Sequence, residues 1–193
     1  MGRRAIIMDR DGTVCEEVGY VNHPERLRLL PRSAEAIRRA NEASFQTVVV
    51  TNQAGVARGY FAESLVEETH DRLREMLAAE GARLDGIYYC PHHPEVGAPA
   101  YRKVCECRKP RPGMLLRAQA EMGIDLAASY MVGDSVRDVE AGRRAGATTV
   151  LVLTGYGKGE LEYQSHGWSH APDHVASDLL DAVAWILARE NAG

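Results

Sequence analysis

Long hydrophobic runs are absent from the 193-residue sequence, and none approaches the roughly 20 residues that a membrane-spanning helix requires. The apolar run 5–8, behind two arginines, is too short for a signal peptide. Basic residues are scattered and the net charge is −4, which argues against a surface that follows a nucleic-acid backbone. We therefore expect a cytoplasmic protein without a membrane segment or a nucleic-acid partner.

Cysteine is scarce, with four residues in the whole chain. Because the sequence offers no export signal, free thiols or metal ligands are expected rather than disulfides. Three of the four lie within residues 90–107, beside two histidines. The candidates form two closely spaced pairs, a cysteine with a histidine and then two cysteines, which is typical of a closed structural zinc site. The ligand candidates are Cys90, Cys105 and Cys107, with either His92 or His93. Cys15 lies far along the chain and is expected to be a small core residue.

Short apolar segments alternate with amphipathic segments, and 45% of the residues are apolar. This alternation predicts an α/β fold, a Rossmann-like parallel sheet flanked by helices, in a single domain over residues 1–193. The predicted strands are 5–8, 47–50, 130–132 and 149–153. The predicted helices lie near 34–43, 63–79, 113–122, 138–145 and 176–188.

Two segments break this alternation. Residues 87–112 are proline-rich and contain the zinc candidates, so an ordered zinc-binding loop is expected there. Residues 155–174 are polar and glycine-rich and are also expected to form a loop. A glycine and a proline lie among its three histidines, His166, His170 and His174, which favours solvated side chains over a second metal site. Neither segment is long enough for a large cap domain.

Acidic residues follow two of the predicted strands. Asp9 and Asp11 lie two positions apart behind the first strand, so both carboxylates point into one crevice. Asp134 follows the strand 130–132. Ligands of open parallel sheets bind beyond the carboxyl ends of the strands, and a cluster of carboxylates suits magnesium with a substrate phosphate. The sequence therefore predicts a magnesium site at this edge.

These motifs resemble the four motifs of the haloacid dehalogenase superfamily over residues 5–154. In chain order they are Asp9-x-Asp11-Gly12-Thr13, Thr51-Asn52, Lys109-Pro110 and Gly133-Asp134-x-x-x-Asp138. The resemblance implies that Asp9 attacks phosphorus and forms an aspartyl-phosphate, while Asp11 acts as general acid and base. It also implies that Thr51 and Lys109 hold the phosphoryl oxygens. Magnesium would be bound by the carboxylates of Asp9 and Asp134 and by the main-chain carbonyl of Asp11.

Asp138 has three open interpretations. Its carboxylate can orient Lys109, hold a metal-bound water, or cap the helix that follows. The sequence does not choose among them.

Within the superfamily, segments 51–59, 89–94 and 105–114 are similar to the heptose 1,7-bisphosphate 7-phosphatase family. The resemblance implies removal of the C7 phosphate of D-glycero-D-manno-heptose 1,7-bisphosphate to give heptose 1-phosphate. That reaction belongs to ADP- or GDP-heptose biosynthesis for lipopolysaccharide or related glycans. The histidinol-phosphate phosphatases of histidine biosynthesis share most of the pattern and are the alternative.

This resemblance implies that His92 is the fourth zinc ligand. It also gives a set of expected substrate-binding residues, namely Glu17, Gly19, Tyr20, Asn52, Gln53, Arg108 and Ser135. The sequence departs from the family at Ser135, where similar members often carry lysine, so a contact to the substrate is missing or supplied elsewhere. The preferred anomer is open for the same reason.

Two non-enzymatic interpretations compete with the phosphatase. A phosphorylated receiver module also combines acidic residues, magnesium and a lysine, but it lacks an acid/base residue placed like Asp11 beside the nucleophile. A zinc-dependent nucleic-acid binder conflicts with the acidic net charge. We expect a small sugar phosphate as the partner, with Mg²⁺ and Zn²⁺ as cofactors, and a monomeric protein.

Overall fold

Six parallel strands form one sheet, in the order β3-β2-β1-β4-β5-β6, in the computed structural model, which describes residues 2–192. The strands are β1 (Ala5–Met8), β2 (Gln46–Asn52), β3 (Gly86–Cys90), β4 (Tyr130–Gly133), β5 (Thr148–Val152) and β6 (His174–Ala176). The helices are α1 (Ser33–Glu42), α2 (Glu63–Ala79), α3 (Gly113–Met122), α4 (Val136–Ala145), α5 (Gly157–Tyr163) and α6 (Leu179–Asn191).

The central strand β1 is buried on both faces, as its unbroken apolar sequence predicts. Ile6 and Met8 belong to the core that includes residues of α1, α2 and α6, whereas Ala5 and Ile7 belong to the core beneath α3 and α4. Burying an isoleucine side chain contributes roughly 1.5–3 kcal/mol. The two cores therefore fix β1 and the residues at its carboxyl end.

Two loop predictions are wrong in part. The segment predicted as a loop over 87–112 begins with the edge strand β3, in which only Tyr88 and Cys90 are buried and which pairs with β2 alone. The segment 155–174 contains α5 and a short 3-10 turn, and it ends at the first residue of β6. Short elements at a sheet edge have weak apolar patterns, because one side of each lacks a strand neighbour.

Helix boundaries differ from the predictions by a few residues. Helix α6 starts at Leu179 rather than at residue 176, because Ala176 belongs to β6 and Asp178 caps the helix with its side chain. Helix α4 starts at Val136, two residues before the predicted 138, since Ser135 is its N-cap.

The absence of a large cap is confirmed for residues 2–192, where the long connections 9–32 and 91–112 contain no sheet or long helix of their own. Within the same residues, no helix combines the length and the apolar composition that crossing a membrane requires.

Candidate active site and zinc cluster

The carboxyl ends of β1, β2 and β4, three neighbouring strands, open into one pocket. Every residue predicted for catalysis, substrate binding or magnesium binding lines it. The deep part contains Asp9, Thr51, Lys109 and Asp134. The parallel sheet thus places these side chains together although they lie far apart in the sequence.

Lys109 lies between two carboxylates at the bottom of the pocket. Its Nζ atom is 2.9 Å from Oδ2 of Asp9 and 2.6 Å from Oδ1 of Asp138, and it donates to the carbonyl of Val50 at 2.9 Å. Only 2% of Lys109 is exposed. Burial opposes the charge, but the carboxylates of Asp138 and Asp9 outweigh it and raise the pKa of Lys109. The ammonium group therefore stays charged.

Asp138 combines two of the three roles left open by the sequence. Its Oδ2 accepts a hydrogen bond from the N–H of Ser135 at 3.1 Å, completing a capping box at the start of α4. Its Oδ1 pairs with Lys109. The same carboxylate therefore caps a helix and orients the pocket lysine.

Asp11 is held by two side chains. Nε and Nη2 of Arg10 donate to its two oxygens at 3.1 and 2.9 Å, and Nε2 of Gln53 donates to Oδ2 at 2.9 Å. Arg10 is 1% exposed, so its guanidinium is fixed by its surroundings. Gln53 also donates to Oγ1 of Thr51 at 2.8 Å. The orientation of Asp11 is therefore set before any substrate binds.

Asp134 is packed against two glycines. Its Oδ2 accepts from the N–H of Tyr156 at 2.8 Å. A side chain at Gly12 or at Gly155 would collide with that same oxygen, and both glycines have positive φ angles, of 80° and 54°. Only glycine lets both backbone segments approach this carboxylate so closely.

The carboxylates of Asp9, Asp134 and Asp138 present oxygens within 4.8 Å of one another. Burial is the main cause that raises the pKa of Asp9 to about 7 and that of Asp134 to about 8. The neighbouring carboxylates add to the rise, whereas the charge of Lys109 opposes it. A divalent cation would relieve this repulsion and keep both groups ionised. The cluster contains Asp9 and Asp134, the two carboxylates that the resemblance assigns to Mg²⁺, and its all-oxygen donor set fits that ion.

The second candidate metal cluster lies at the end of β3 and in the loop that follows it. Sγ of Cys107 is 3.2 Å from Sγ of Cys90 and 3.3 Å from both Sγ of Cys105 and Nδ1 of His92. All four ligand atoms lie within 4.8 Å of one another. Hydrogen bonding by the Cys90 thiol is the main reason that the pKa of Cys107 falls to about 5. Three thiols and an imidazole in this arrangement fit a tetrahedral zinc ion.

His93 faces away from this cluster. Its Nδ1 accepts from the N–H groups of Glu95 and Val96 at 3.1 and 3.3 Å, and its Nε2 lies 3.2 Å from Nη2 of Arg58. Of the two histidines that the cysteine spacing left open, the geometry therefore selects His92.

The cluster of Cys90, His92, Cys105 and Cys107 is connected directly to the pocket. Arg108 follows Cys107 and donates to the carbonyl of His92 at 3.1 Å. The side chain of Asn52 accepts from the N–H of Lys109 at 3.0 Å and donates to its carbonyl at 3.1 Å. The amide of Asn52 thus fixes the backbone of Lys109. Asn52 also lines the pocket, and its contact with substrate stays a prediction.

The outer part of the pocket is formed by Glu17, Tyr20, Arg108, Arg137 and Tyr156, which we call the rim. Glu17 accepts a hydrogen bond from the N–H of Gly19, and Tyr20 packs edge to face on Tyr60 at 4.8 Å. These half-buried and exposed side chains surround the opening through which a substrate enters.

Comparison with known proteins agrees with this geometry. The profile of the HAD-hydrolase-like family matches residues 106–182. A D-glycero-D-manno-heptose-1,7-bisphosphate 7-phosphatase from Thermosynechococcus vestitus is 43% identical over 190 residues, covering 96% of each chain. A D-glycero-beta-D-manno-heptose-1,7-bisphosphate 7-phosphatase from Yersinia pestis is 47% identical over 189 residues, again covering 96% of each. The chain belongs to the heptose-1,7-bisphosphate 7-phosphatase family.

A solved structure supports this assignment. The D,D-heptose 1,7-bisphosphate phosphatase from B. bronchiseptica, complexed with magnesium and phosphate, aligns with a TM-score of 0.84 at 35% identity, over 96% of this chain and 99% of that chain. The predicted haloacid dehalogenase-like fold is confirmed. As a heptose-1,7-bisphosphate 7-phosphatase family member, the chain is a phosphoric monoester hydrolase, as predicted.

Sequence reasoning missed Arg137 and Tyr156, which line this phosphatase's pocket, and Arg10, which holds the pocket residue Asp11. Arg10 lies between the two aspartates of the first motif, and its charge directly after a buried strand was an available signal. Arg137 lies in the first turn of α4, and Tyr156 lies in a segment without a recognisable pattern. Ser135 lines the pocket, and its hydroxyl donates to Glu160 at 3.1 Å and caps α4, while its contact with substrate stays a prediction.

Proposed function

We propose that the protein hydrolyses the C7 phosphate of D-glycero-D-manno-heptose 1,7-bisphosphate and releases heptose 1-phosphate. The observation that carries the proposal is the buried group of Asp9, Lys109 and Asp134 in a chain 43% and 47% identical to phosphatases of that name. The cytoplasm is the proposed location, because the product would be consumed there by nucleotide activation.

Asp9 is the proposed nucleophile. Its Oδ1 accepts from the N–H of Arg10 at 2.7 Å, and Lys109 holds its other oxygen. Attack of an Asp9 oxygen on phosphorus forms an aspartyl-phosphate and breaks the bond between phosphorus and the C7 oxygen. Lys109 stabilises the negative charge on the phosphoryl oxygens, and the buried Thr51 borders the same space.

Magnesium would be held by Asp9, Asp134 and the main-chain carbonyl of Asp11, and its charge would offset that of the phosphoryl group. Other residues of the protein hold the two carboxylates in place. Gly12 and Gly155 fix Asp134, and Lys109 fixes Asp9.

Asp11 is the proposed acid and base. In the first step it gives a proton to the C7 oxygen of the departing heptose 1-phosphate. In the second step it takes a proton from the water that attacks the aspartyl-phosphate, so inorganic phosphate leaves and Asp9 is restored. Arg10 and Gln53 hold the Asp11 carboxylate in the orientation that both transfers need.

Zinc at Cys90, His92, Cys105 and Cys107 has a structural role in this proposal. The cluster closes the loop that leads directly to Arg108 and Lys109. It therefore fixes the position of the phosphate-binding lysine without contacting the substrate.

Phosphate release tests the substrate. The α and β anomers of heptose 1,7-bisphosphate and histidinol phosphate are assayed in parallel with magnesium, using the wild type and Asp9→Asn. We expect preferential turnover of one heptose anomer and none by Asp9→Asn. Preference for histidinol phosphate would keep the mechanism and reject the substrate, whereas wild-type turnover by Asp9→Asn would reject the covalent mechanism.

A further inference from the structure

Residues 154–160, the segment between β5 and the first turn of α5, contact two of the loops that form the proposed magnesium site. The hydroxyl of Thr154 donates to the carbonyl of Gly12 at 2.6 Å, in the loop after β1. The N–H of Tyr156 donates to Oδ2 of Asp134 at 2.8 Å, at the end of β4. One stretch of chain therefore joins the loop that carries Asp11 to the carboxylate of Asp134.

A further contact of this segment comes from the carboxylate of Glu160, in α5. Its Oε2 accepts from the N–H of Val136 at 2.6 Å, and its Oε1 accepts from the hydroxyl of Ser135 at 3.1 Å. Ser135 and Val136 directly follow Asp134 in the chain. The segment 154–160 thus holds the Asp134 side chain through one residue and the backbone that follows Asp134 through another.

Helix capping alone does not account for Glu160. The start of α4 already has a complete capping box, formed by Ser135 and Asp138. Glu160 lies 24 residues from Val136 in the sequence, so its hydrogen bond is a tertiary contact and not part of a local turn. What this contact adds is the attachment of α5 to α4 on either side of Asp134.

The segment that Glu160 anchors has few side chains to stiffen it. Gly155, Gly157 and Gly159 alternate along it, and glycine leaves the backbone more freedom than any other residue. The position of the Tyr156 N–H therefore depends on the hydrogen bonds on either side of it. Those bonds come from Thr154 before it and from Glu160 after it.

We propose that Glu160 is a positioning residue of the metal site, which joins α5 to α4, holds the N–H of Tyr156 against Asp134 and thereby raises the affinity for Mg²⁺. This inference rests on the metal site of the proposed function and not on the identity of the sugar. Glu160 lies outside the pocket lining, so it acts through Tyr156 and Asp134. Metal affinity is sensitive to the hydrogen bonds that orient the ligands.

Direct metal binding tests the inference. Mn²⁺ accepts the same oxygen ligands as Mg²⁺, and electron paramagnetic resonance measures the free ion during titration of the full chain without substrate. We expect Glu160→Ala to raise the Kd for Mn²⁺ roughly tenfold, the scale of a lost contact around the ligands. The Mg²⁺ concentration that gives half-maximal phosphate release rises by the same factor, whereas kcat and KM at saturating Mg²⁺ stay near the wild-type values.

A conservative variant separates the hydrogen bonds of Glu160 from its charge. Glu160→Gln removes the charge but keeps an oxygen that accepts from the N–H of Val136. We expect this variant to retain most of the wild-type affinity for Mn²⁺.

Glu190→Ala is the matched control for a loss of stability. Glu190 also carries a carboxylate with two partners, since it accepts from the hydroxyl of Tyr130 at 2.6 Å and pairs with Arg4. Tyr130 starts β4, at the opposite end of the strand from Asp134. We expect Glu190→Ala to lower the midpoint of thermal unfolding and to leave the Kd for Mn²⁺ unchanged. Asp134→Asn measures the binding of Mn²⁺ elsewhere on the protein.

The outcomes separate the inference from the proposed function. An unchanged Kd in Glu160→Ala, or an equal rise in Glu160→Ala and Glu190→Ala, overturns the role of Glu160, while Mn²⁺ binding and phosphate release by the wild type still support the proposed function. A rise in Glu160→Gln as large as that in Glu160→Ala also overturns it, because charge would then be the cause. A wild type that binds Mn²⁺ no better than Asp134→Asn overturns the proposed metal site and the inference with it.

Discussion

The Nζ atom of Lys109 lies 2.6 Å from Oδ1 of Asp138, and 2% or less of either residue is exposed. Loss of one partner from a buried ion pair costs roughly 3 kcal/mol, because the other charge is left poorly compensated. We therefore expect Asp138→Asn to lower the free energy of unfolding by about that amount and to reduce kcat as Lys109 shifts. Urea unfolding and steady-state phosphate release measure the two effects.

Asp181→Asn is the matched control for this experiment. Asp181 occupies the corresponding position in the first turn of α6 and accepts from the N–H of Ser177 at 2.9 Å, but it faces solvent and pairs with no lysine. We expect a small change in stability and an unchanged kcat. Equal losses for both variants would mean that helix capping, and not the pair with Lys109, explains the effect.

If the cysteine–histidine cluster binds zinc as proposed, replacement of His92 and of the adjacent His93 has different results. Replacement of His92 by alanine removes a ligand and lowers both the bound zinc and the midpoint of thermal unfolding. Replacement of His93 by alanine leaves the zinc content unchanged, because its ring faces Glu95 and Arg58. Elemental analysis of the purified variants measures one zinc per chain or none, and zinc retained by His92→Ala would refute the assignment.

Replacement of Arg10 is expected to slow catalysis, although Arg10 acts on Asp11 and not on the substrate. Arg10→Met keeps most of the buried volume but removes both hydrogen bonds to Asp11. We expect kcat to fall by roughly tenfold to a hundredfold, the scale of a misplaced catalytic group, with a smaller change in KM. Arg38→Met, which breaks an exposed pair with Glu42, is the control and leaves kcat unchanged. A wild-type kcat for Arg10→Met would show that Asp11 needs no such support.

The buried His70 is expected to lower the free energy of unfolding as the pH falls. Burial, together with the charges of Arg10 and Arg74, lowers its pKa to about 3 from an ordinary value of 6.5. Below the ordinary value the unfolded chain binds a proton that the folded chain excludes, so His70 costs up to about 1.4 kcal/mol of stability per pH unit as the pH falls toward 3.

His70→Gln should therefore flatten the fall in unfolding free energy between about pH 6.5 and pH 4. The exposed His170 gives the control, since His170→Gln leaves the pH dependence of the wild type. Urea titrations at several pH values compare the slopes. Identical slopes for the wild type and His70→Gln would contradict the linkage.

The strand-end residues were predictable because each directly follows a strongly apolar run. Asp9 and Asp134 end strands buried on both faces, and such strands are visible in the sequence. Edge strands are less visible, since β6 has three residues, and β3 mixes two buried side chains, Tyr88 and Cys90, with half-buried neighbours. Propensity and periodicity are weak over so few positions.

The positioning contacts were less predictable than the catalytic groups. Asp11 and Lys109 have recognisable motifs, but the hydrogen bonds of Arg10 to Asp11 depend on how the chain turns after β1. Arg137 was missed because a basic residue in a helix is usually solvated, and only the structure places it beside Arg108 around one pocket. Pairings between distant segments are set by tertiary structure and not by local pattern.

The rim and the proposed catalytic aspartates are carried by different parts of the fold. Its residues belong to connecting segments and to a first helical turn, whereas Asp9 and Asp134 are anchored at the ends of central strands. A substitution at Tyr20 or Arg137 thus changes what enters without disturbing the residues that break the ester. The shape of the opening and the residues proposed for bond cleavage can therefore change independently of each other.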